Sequence, residues 1–179
     1  ATVEKGRWKG YALYGLSLEE RATCPVSCPQ RSICYGNGMQ LARRHRIGDP
    51  EVFYSRVDDE IGRLLANHAG VLLRLHVLGD FPSVDYVAFW KDVLAEHKRL
   101  AIYGYTARLP KALGGDEIGD AIDALKAAFP ERFRVRWSMP TPGPDRASVI
   151  EASAKLPASG IPCPAQVDAT ACCATCGLC

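Results

Sequence analysis

Val71–Pro82 reads V-L-L-R-L-H-V-L-G-D-F-P, and the fold turns on this stretch. An apolar run of this length, closed by Gly79-Asp80-Phe81-Pro82, reads as a buried strand that ends in a turn. Alternation puts Val71, Leu73, Leu75 and Val77 on one face, and Arg74 and His76 on the other. A parallel strand with helices on both faces is apolar almost throughout. This strand is not, so the expectation is a sheet with helices on one side and a polar hollow on the other.

The neighbouring segments fit that reading. Upstream, Glu51–His68 carries Val52, Phe53, Val57, Ile61, Leu64 and Leu65 at helical spacing, with Asp49 as N-cap and Pro50 at the first position. Downstream, Ser83 or Asp85 starts a helix over Tyr86–His97 whose apolar side is Tyr86, Phe89, Trp90, Val93 and Leu94. Leu100–Tyr105 is a further strand. Gly114-Gly115-Asp116 leads into a helix over Glu117–Phe129. Phe133–Met139 is a strand again, with Arg134, Arg136 and Ser138 facing away from Phe133, Val135, Trp137 and Met139. At the start of the chain, Tyr11–Leu18 reads as a strand and Met39–Arg46 as a short basic helix. Arg146–Leu156 stays open between strand and helix.

Strand alternating with helix argues a parallel sheet with right-handed crossovers. Such units are too few here to close an eight-stranded barrel, so the fold expected is α/β, an open partial β/α barrel of about four to six mostly parallel strands. Residues 1–156 form it and carry a cysteine loop at 23–36. Residues 157–179 form a cysteine-rich tail.

The loop reads T-C-P-V-S-C-P-Q-R-S-I-C-Y-G and holds Cys24, Cys28 and Cys34. Pro25 and Pro29 keep it out of helix, so it can curl around a metal. The tail closes C-C-A-T-C-G-L-C, and Cys163, Cys172, Cys173, Cys176 and Cys179 bring the total to 8 cysteines. Three readings stand: iron–sulfur clusters, zinc, and disulfides. Disulfides suit small secreted domains and fit the vicinal Cys172–Cys173 pair poorly. Zinc favours four ligands in two C-x-x-C pairs. A C-x-x-C-x-x-C run is more typical of an iron–sulfur cluster. In the tail, Cys163, Cys173, Cys176 and Cys179 make a full set of four and leave Cys172 spare.

A chain of 179 residues buries roughly 70% of its unfolded surface and needs no covalent staples. Net charge is +2, too small by itself to argue for nucleic acid or an anionic membrane. No apolar run is long enough to span a bilayer, and cytoplasm is the expected compartment.

Ligands of parallel sheets bind beyond the carboxyl ends of the strands. That end would present the cysteine loop, Asp80, Thr106 with Arg108, and Ser138. Arg74, Arg108 and Arg136 suit a carboxylate or phosphate. Asp80 suits a ribose hydroxyl or an ammonium. The plainer reading pairs these arginines with Asp80, Asp85 and Asp116 as structural bridges. His76 is either a hydrogen-bonded structural histidine or a ligand contact. Tyr103 and Tyr105 read as packing residues or, if the sheet curves the other way, as cavity residues with hydrogen-atom or base-stacking roles. Arg31 with Arg43–Arg46 is a basic patch, either solvated or in contact with nucleic-acid phosphates.

A cysteine triplet with an aromatic beside its last thiol, followed by a partial barrel, resembles the radical S-adenosylmethionine (SAM) superfamily. C-P-x-x-C…C-Y, R-L-H-x-x-G-D-F, Y-T-A-R, W-S-M-P and the closing C-P-A-Q…C-x-x-C-G-L-C together resemble a phage and plasmid family, gene product 88. The superfamily's second cysteine gap is usually two residues, and here it is five. The resemblance implies a 4Fe–4S cluster on Cys24, Cys28 and Cys34, with the fourth iron open to SAM. One electron would then cleave a carbon–sulfur bond of SAM. It further implies Arg74, His76, Asp80 and Arg136 as catalytic candidates. Tyr35, Asp80, Thr106, Arg108 and Ser138 would contact cofactor, and the tail would hold a second cluster. Partners would be a small-molecule substrate and an electron donor. The alternative is a non-catalytic, metal-stabilised protein that binds nucleic acid or modulates a host.

Overall fold

The structure is a computed structural model, and it describes residues 1–139, 141, 143–148, 160–167, 169–170 and 172–176. The elements in chain order are β1 (Ala12–Leu16), α1 (Glu20–Thr23), α2 (Pro50–Asn67), β2 (Val71–Leu75), α3 (Val84–Glu96), β3 (Leu100–Thr106), α4 (Glu117–Ala128), β4 (Phe133–Ser138), β5 (Arg146–Ala147) and α5 (Cys173–Cys176).

The three long helices start where their caps dictate. The Asp49 side chain accepts from the Glu51 and Val52 amides, with Pro50 at the first position. Ser83 accepts from the Tyr86 amide and Asp116 from the Gly119 amide. Each cap satisfies amides that have no partner within the helix.

All strands pair in parallel in the order β1-β2-β3-β4-β5, so each crossover returns to the next position in the sheet. An open sheet wound in one direction carries its helices on one face. The main core shows this. Ile61 and Leu65 of α2, Tyr86, Trp90 and Leu94 of α3, and Ile118, Ile122 and Leu125 of α4 pack on Val71, Leu73, Leu75, Leu100, Ile102, Phe133 and Val135.

The opposite, helix-free face is not polar throughout. Its lower row, toward the strand N-termini, is Leu13, Leu72 and Ala101. Val3, Trp8 and Tyr11 cover it in a second, smaller core together with Tyr103. Thr2 bridges Ala12 in antiparallel fashion and holds this cover in place. The upper rows carry Gly15, Arg74, Tyr103 and Arg134, then Tyr105 and Arg136. The polar character is therefore confined to the upper half of the face.

Two expectations are corrected. His76 does not share a face with Arg74. Regular pairing ends at Leu75, and the ladder to β1 then slips: Val77 N bonds Leu16 O at 2.9 Å, and Leu18 N bonds Leu78 O at 2.8 Å. The extra residue turns His76 in among the helix-side aromatics, as a bulge does. Met39–Arg46 is not a helix. Its carbonyls at Met39 and Ala42 accept from the Arg44 guanidinium, so a side chain replaces the helical ladder.

Of Arg146–Leu156, the first two residues are strand. Residues 149–156 lie outside the described residues, as does Cys179. No helix among the described residues is long and apolar enough to cross a membrane.

Candidate functional site

The cysteine loop leaves the carboxyl end of β1, and its first residues are tied to the ends of β2 and β3. Thr23 is the hinge of this join. Its hydroxyl donates to Glu19 O at 3.0 Å and accepts from the Asp80 amide at 3.1 Å. Gly79 makes the close approach: its φ is +91°, and a Cβ there would stand 2.8 Å from Thr23 Oγ1.

Asp80 is buried and fully engaged. Oδ1 accepts from Thr106 Oγ1 at 2.6 Å and from the Phe81 amide at 2.8 Å, and Oδ2 accepts from the Ala107 amide at 2.8 Å. Burial raises its carboxyl to about 6, against the pull of these donors and of Arg108. Arg108 spreads its guanidinium over Phe81 O (3.1 Å), Asp116 Oδ2 (3.0 Å) and Thr23 O (3.2 Å). Asp80, Thr106, Arg108 and the start of the cysteine loop thus converge at the strand carboxyl ends. In this structure they bond to one another.

His76 is buried. Its Nε2 lies 3.0 Å from Tyr86 Oη, Phe81 meets its ring edge to face, and its Nδ1 has no hydrogen-bond partner among the described residues. Burial pushes the imidazole down to about 3, so it stays neutral. Arg136 stands two strands from Arg74, in a hollow of about 480 Å³ shared with Asp123, Lys126, Arg134 and Asp145. Ser138 ends β4 beside Ala147 of β5. The Tyr35 hydroxyl donates to Val77 O, which sets this ring over the end of β2. Arg74 is near enough for its charge to act on the Tyr35 phenol.

Cys24, Cys28 and Cys34 are free and half-buried. Burial pushes the Cys24 thiol up to about 12, and negative charge at Asp80, Cys28 and Cys34 adds to the rise. Burial raises Cys28 in the same direction. Among the described residues, the group of potential ligands whose atoms all lie within 4.8 Å is Asp58, Glu96 and His97, between α2 and α3; the three loop thiols stand wider than that.

In the tail, Cys163 and Cys172 are exposed and Cys173 and Cys176 half-buried. Ala174 O accepts from the Glu4 amide at 3.1 Å, so α5 leans on the first residues of the chain. Sequence reasoning missed Thr23 and Tyr86 as partners of Asp80 and His76. Thr23 is legible only in its place immediately before Cys24.

Two arginines of the basic patch, Arg44 and Arg46, are engaged with neighbouring acids, and Arg21 beside the patch bonds Asn37. Arg44 chelates Glu20 at 2.7 and 3.0 Å and bonds Gly36 O, and Arg46 pairs with Glu19.

The class so defined is an α/β protein with a one-way parallel sheet and a thiol-bearing loop pinned to the carboxyl ends of its strands. A family model, Gene product 88, matches residues 2–138, and the chain belongs to that family. The match takes in β1 to β4 and the cysteine loop, and it stops before the tail cysteines. No curated protein and no solved structure matches the chain.

Proposed function

We propose that the chain is an iron–sulfur enzyme of radical-SAM type, with a 4Fe–4S cluster on Cys24, Cys28 and Cys34 and its substrate on the helix-free face. The reading treats the open sheet as an arc of a barrel, with the tail as a second cluster-binding region. The observation that carries it is the placement of three free thiols on one loop at the ligand-binding end of a parallel sheet.

The residues fit a cluster. Cys24 and Cys28 are half-buried thiols whose ionisation burial and neighbouring negative charge oppose, and a bound cation would remove that cost. The three thiols do not all lie within 4.8 Å of one another, and the loop brings no fourth thiol. A cluster is a larger body, and three thiolates leave one of its irons open. When bound, it would supply one-electron reduction of a ligand at that iron.

The chain's own residues would do the rest. Asp80, Thr106 and Arg108 hold the loop at a fixed height above the sheet. Tyr35 follows the last thiol directly and anchors its hydroxyl on Val77 O. Arg74 offers charge to a ligand from below, and Arg136 and Ser138 border the face at β4.

Anaerobic purification followed by iron and acid-labile sulfide counts tests the reading. About four irons on the loop are expected, with more if the tail is also loaded, and Cys24→Ser, Cys28→Ser and Cys34→Ser should each lower the count. Release of 5′-deoxyadenosine on adding SAM and dithionite then separates the enzyme from a passive cluster protein. Colourless protein holding zinc would favour the non-catalytic alternative.

A further inference from the structure

We propose that Arg74 binds an oxyanion, a carboxylate or phosphate group of the ligand, on the helix-free face. This takes from the proposed function that the face is where the ligand lies, and it adds the ligand's chemical class.

Arg74 sits on β2, inside the sheet, with β1 and β3 on either side. Its Nε is buried and has no hydrogen-bond partner among the described residues. No carboxylate pairs with its guanidinium among the described residues. Arg44, Arg99, Arg108 and Arg132 show the contrast, since each spends its fork on carbonyls or carboxylates. An arginine placed in a sheet without an acceptor is expensive, because its donors lose water and gain nothing.

The surroundings select for negative charge. The register places Gly15, Tyr103 and Arg134 in the row of Arg74, and Tyr105 and Arg136 in the next row. None of these residues is acidic; Arg134 and Arg136 are cationic, and on their far side they border the hollow that also holds Asp123 and Asp145. Gly15 presents no side chain toward Arg74 from β1. Tyr35, which follows Cys34 directly in the chain, sends its hydroxyl to Val77 O just beyond β2. The side of a guanidinium formed by Nε and one Nη matches the two oxygens of a carboxylate or phosphate. That edge is the one left without an acceptor here.

The test is equilibrium dialysis of the anaerobically purified full chain against radiolabelled phosphate and, separately, acetate, with chloride holding ionic strength constant. Iron and sulfide are counted on the same samples. One saturable equivalent of either anion is expected, and the anion retained tells phosphate from carboxylate. Arg74→Gln should weaken it about tenfold or more, and Arg74→Lys, which keeps the charge but loses the fork, should weaken it several-fold. Arg63→Gln, at a surface pair with Glu60 on α2, should leave it unchanged. If Arg74→Gln does not fold, Arg74→Lys decides. Failure to retain either anion, or retention that Arg74 variants do not alter, overturns the proposal. Arg74-dependent binding in a chain without iron overturns the cluster and leaves the oxyanion site standing. Iron without such binding does the reverse.

Discussion

Thr106 Oγ1 donates to Asp80 Oδ1 across 2.6 Å, and this bond joins the carboxyl end of β3 to that of β2 with both residues buried. The same carboxylate takes the Ala107 and Phe81 amides, and the Asp80 amide reaches Thr23 beside the first thiol. A buried carboxylate of this kind organises two strand ends and a loop at once. Asp80→Ala would leave three donors without acceptors and should cost about 3 kcal/mol or more, while Thr106→Val, which removes one bond, should cost about 1–2 kcal/mol. Urea denaturation of the two variants checks the order. Equal losses would mean that Asp80 does not act as a hub.

Acid should act on the fold through His76 and Asp80 in opposite directions. His76 is held at about 3, below its ordinary 6.5, so the unfolded chain takes up a proton that the folded one refuses. Its contribution to stability is present above about pH 6.5 and is lost as pH falls toward 3. Asp80 is held at about 6, above its ordinary 3.8. Its contribution is full below 3.8 and is lost as pH rises through about 6. His76→Gln keeps a polar group for Tyr86 and removes the first effect. Urea midpoints taken between about pH 7.5 and pH 4.5 should fall on acidification in the parent and fall less, or rise, in the variant. Parallel curves would show that His76 is not neutral in the folded chain.

Gly104 faces Leu75 across the β2–β3 ladder, just before the slip that turns His76 inward. A Cβ at Gly104 would stand 1.4 Å from Leu75 O, inside the backbone itself. Gly104→Ala should therefore abolish soluble folded protein. Gly62 lies within α2 with nothing within 4 Å of its would-be Cβ, and Gly62→Ala should stabilise by about 0.5–1 kcal/mol through helix propensity. Thermal melting of the pair separates a packing requirement from a general intolerance of alanine.

These residues show which parts of the fold could be read from sequence. Asp49, Ser83 and Asp116 announce their helices because a cap acts within three residues of itself. The order of strands and helices follows from local periodicity. Period-two alternation misplaces His76 because it assumes an unbroken ladder, and the slip against Leu16 and Leu18 depends on residues some sixty positions away. Arg108 is legible as a structural bridge to Asp116, and that ion pair forms, but its other two contacts are not legible. Two of its three acceptors are carbonyls, at Phe81 and Thr23, and every residue offers one of those. The bond between Asp80 and Thr106 is not legible either, because it joins the ends of two strands 26 residues apart.

Arg44 makes the last test sharp, because it performs two tasks that different substitutions separate. Its fork meets Glu20 at both Nε and Nη2, which lowers the Glu20 carboxyl, and it caps the carbonyls of Gly36, Met39 and Ala42. Lysine keeps the charge but cannot span those acceptors, so Arg44→Lys should lower the urea midpoint nearly as far as Arg44→Ala. Exchanging the pair, with Glu20→Arg and Arg44→Glu together, restores opposite charges and still leaves the three carbonyls uncapped. The exchange should therefore fail to rescue, and residues 36–46 should become a site of early proteolysis in all three variants. Rescue by the exchange would show that charge alone holds this segment beside the cysteine loop.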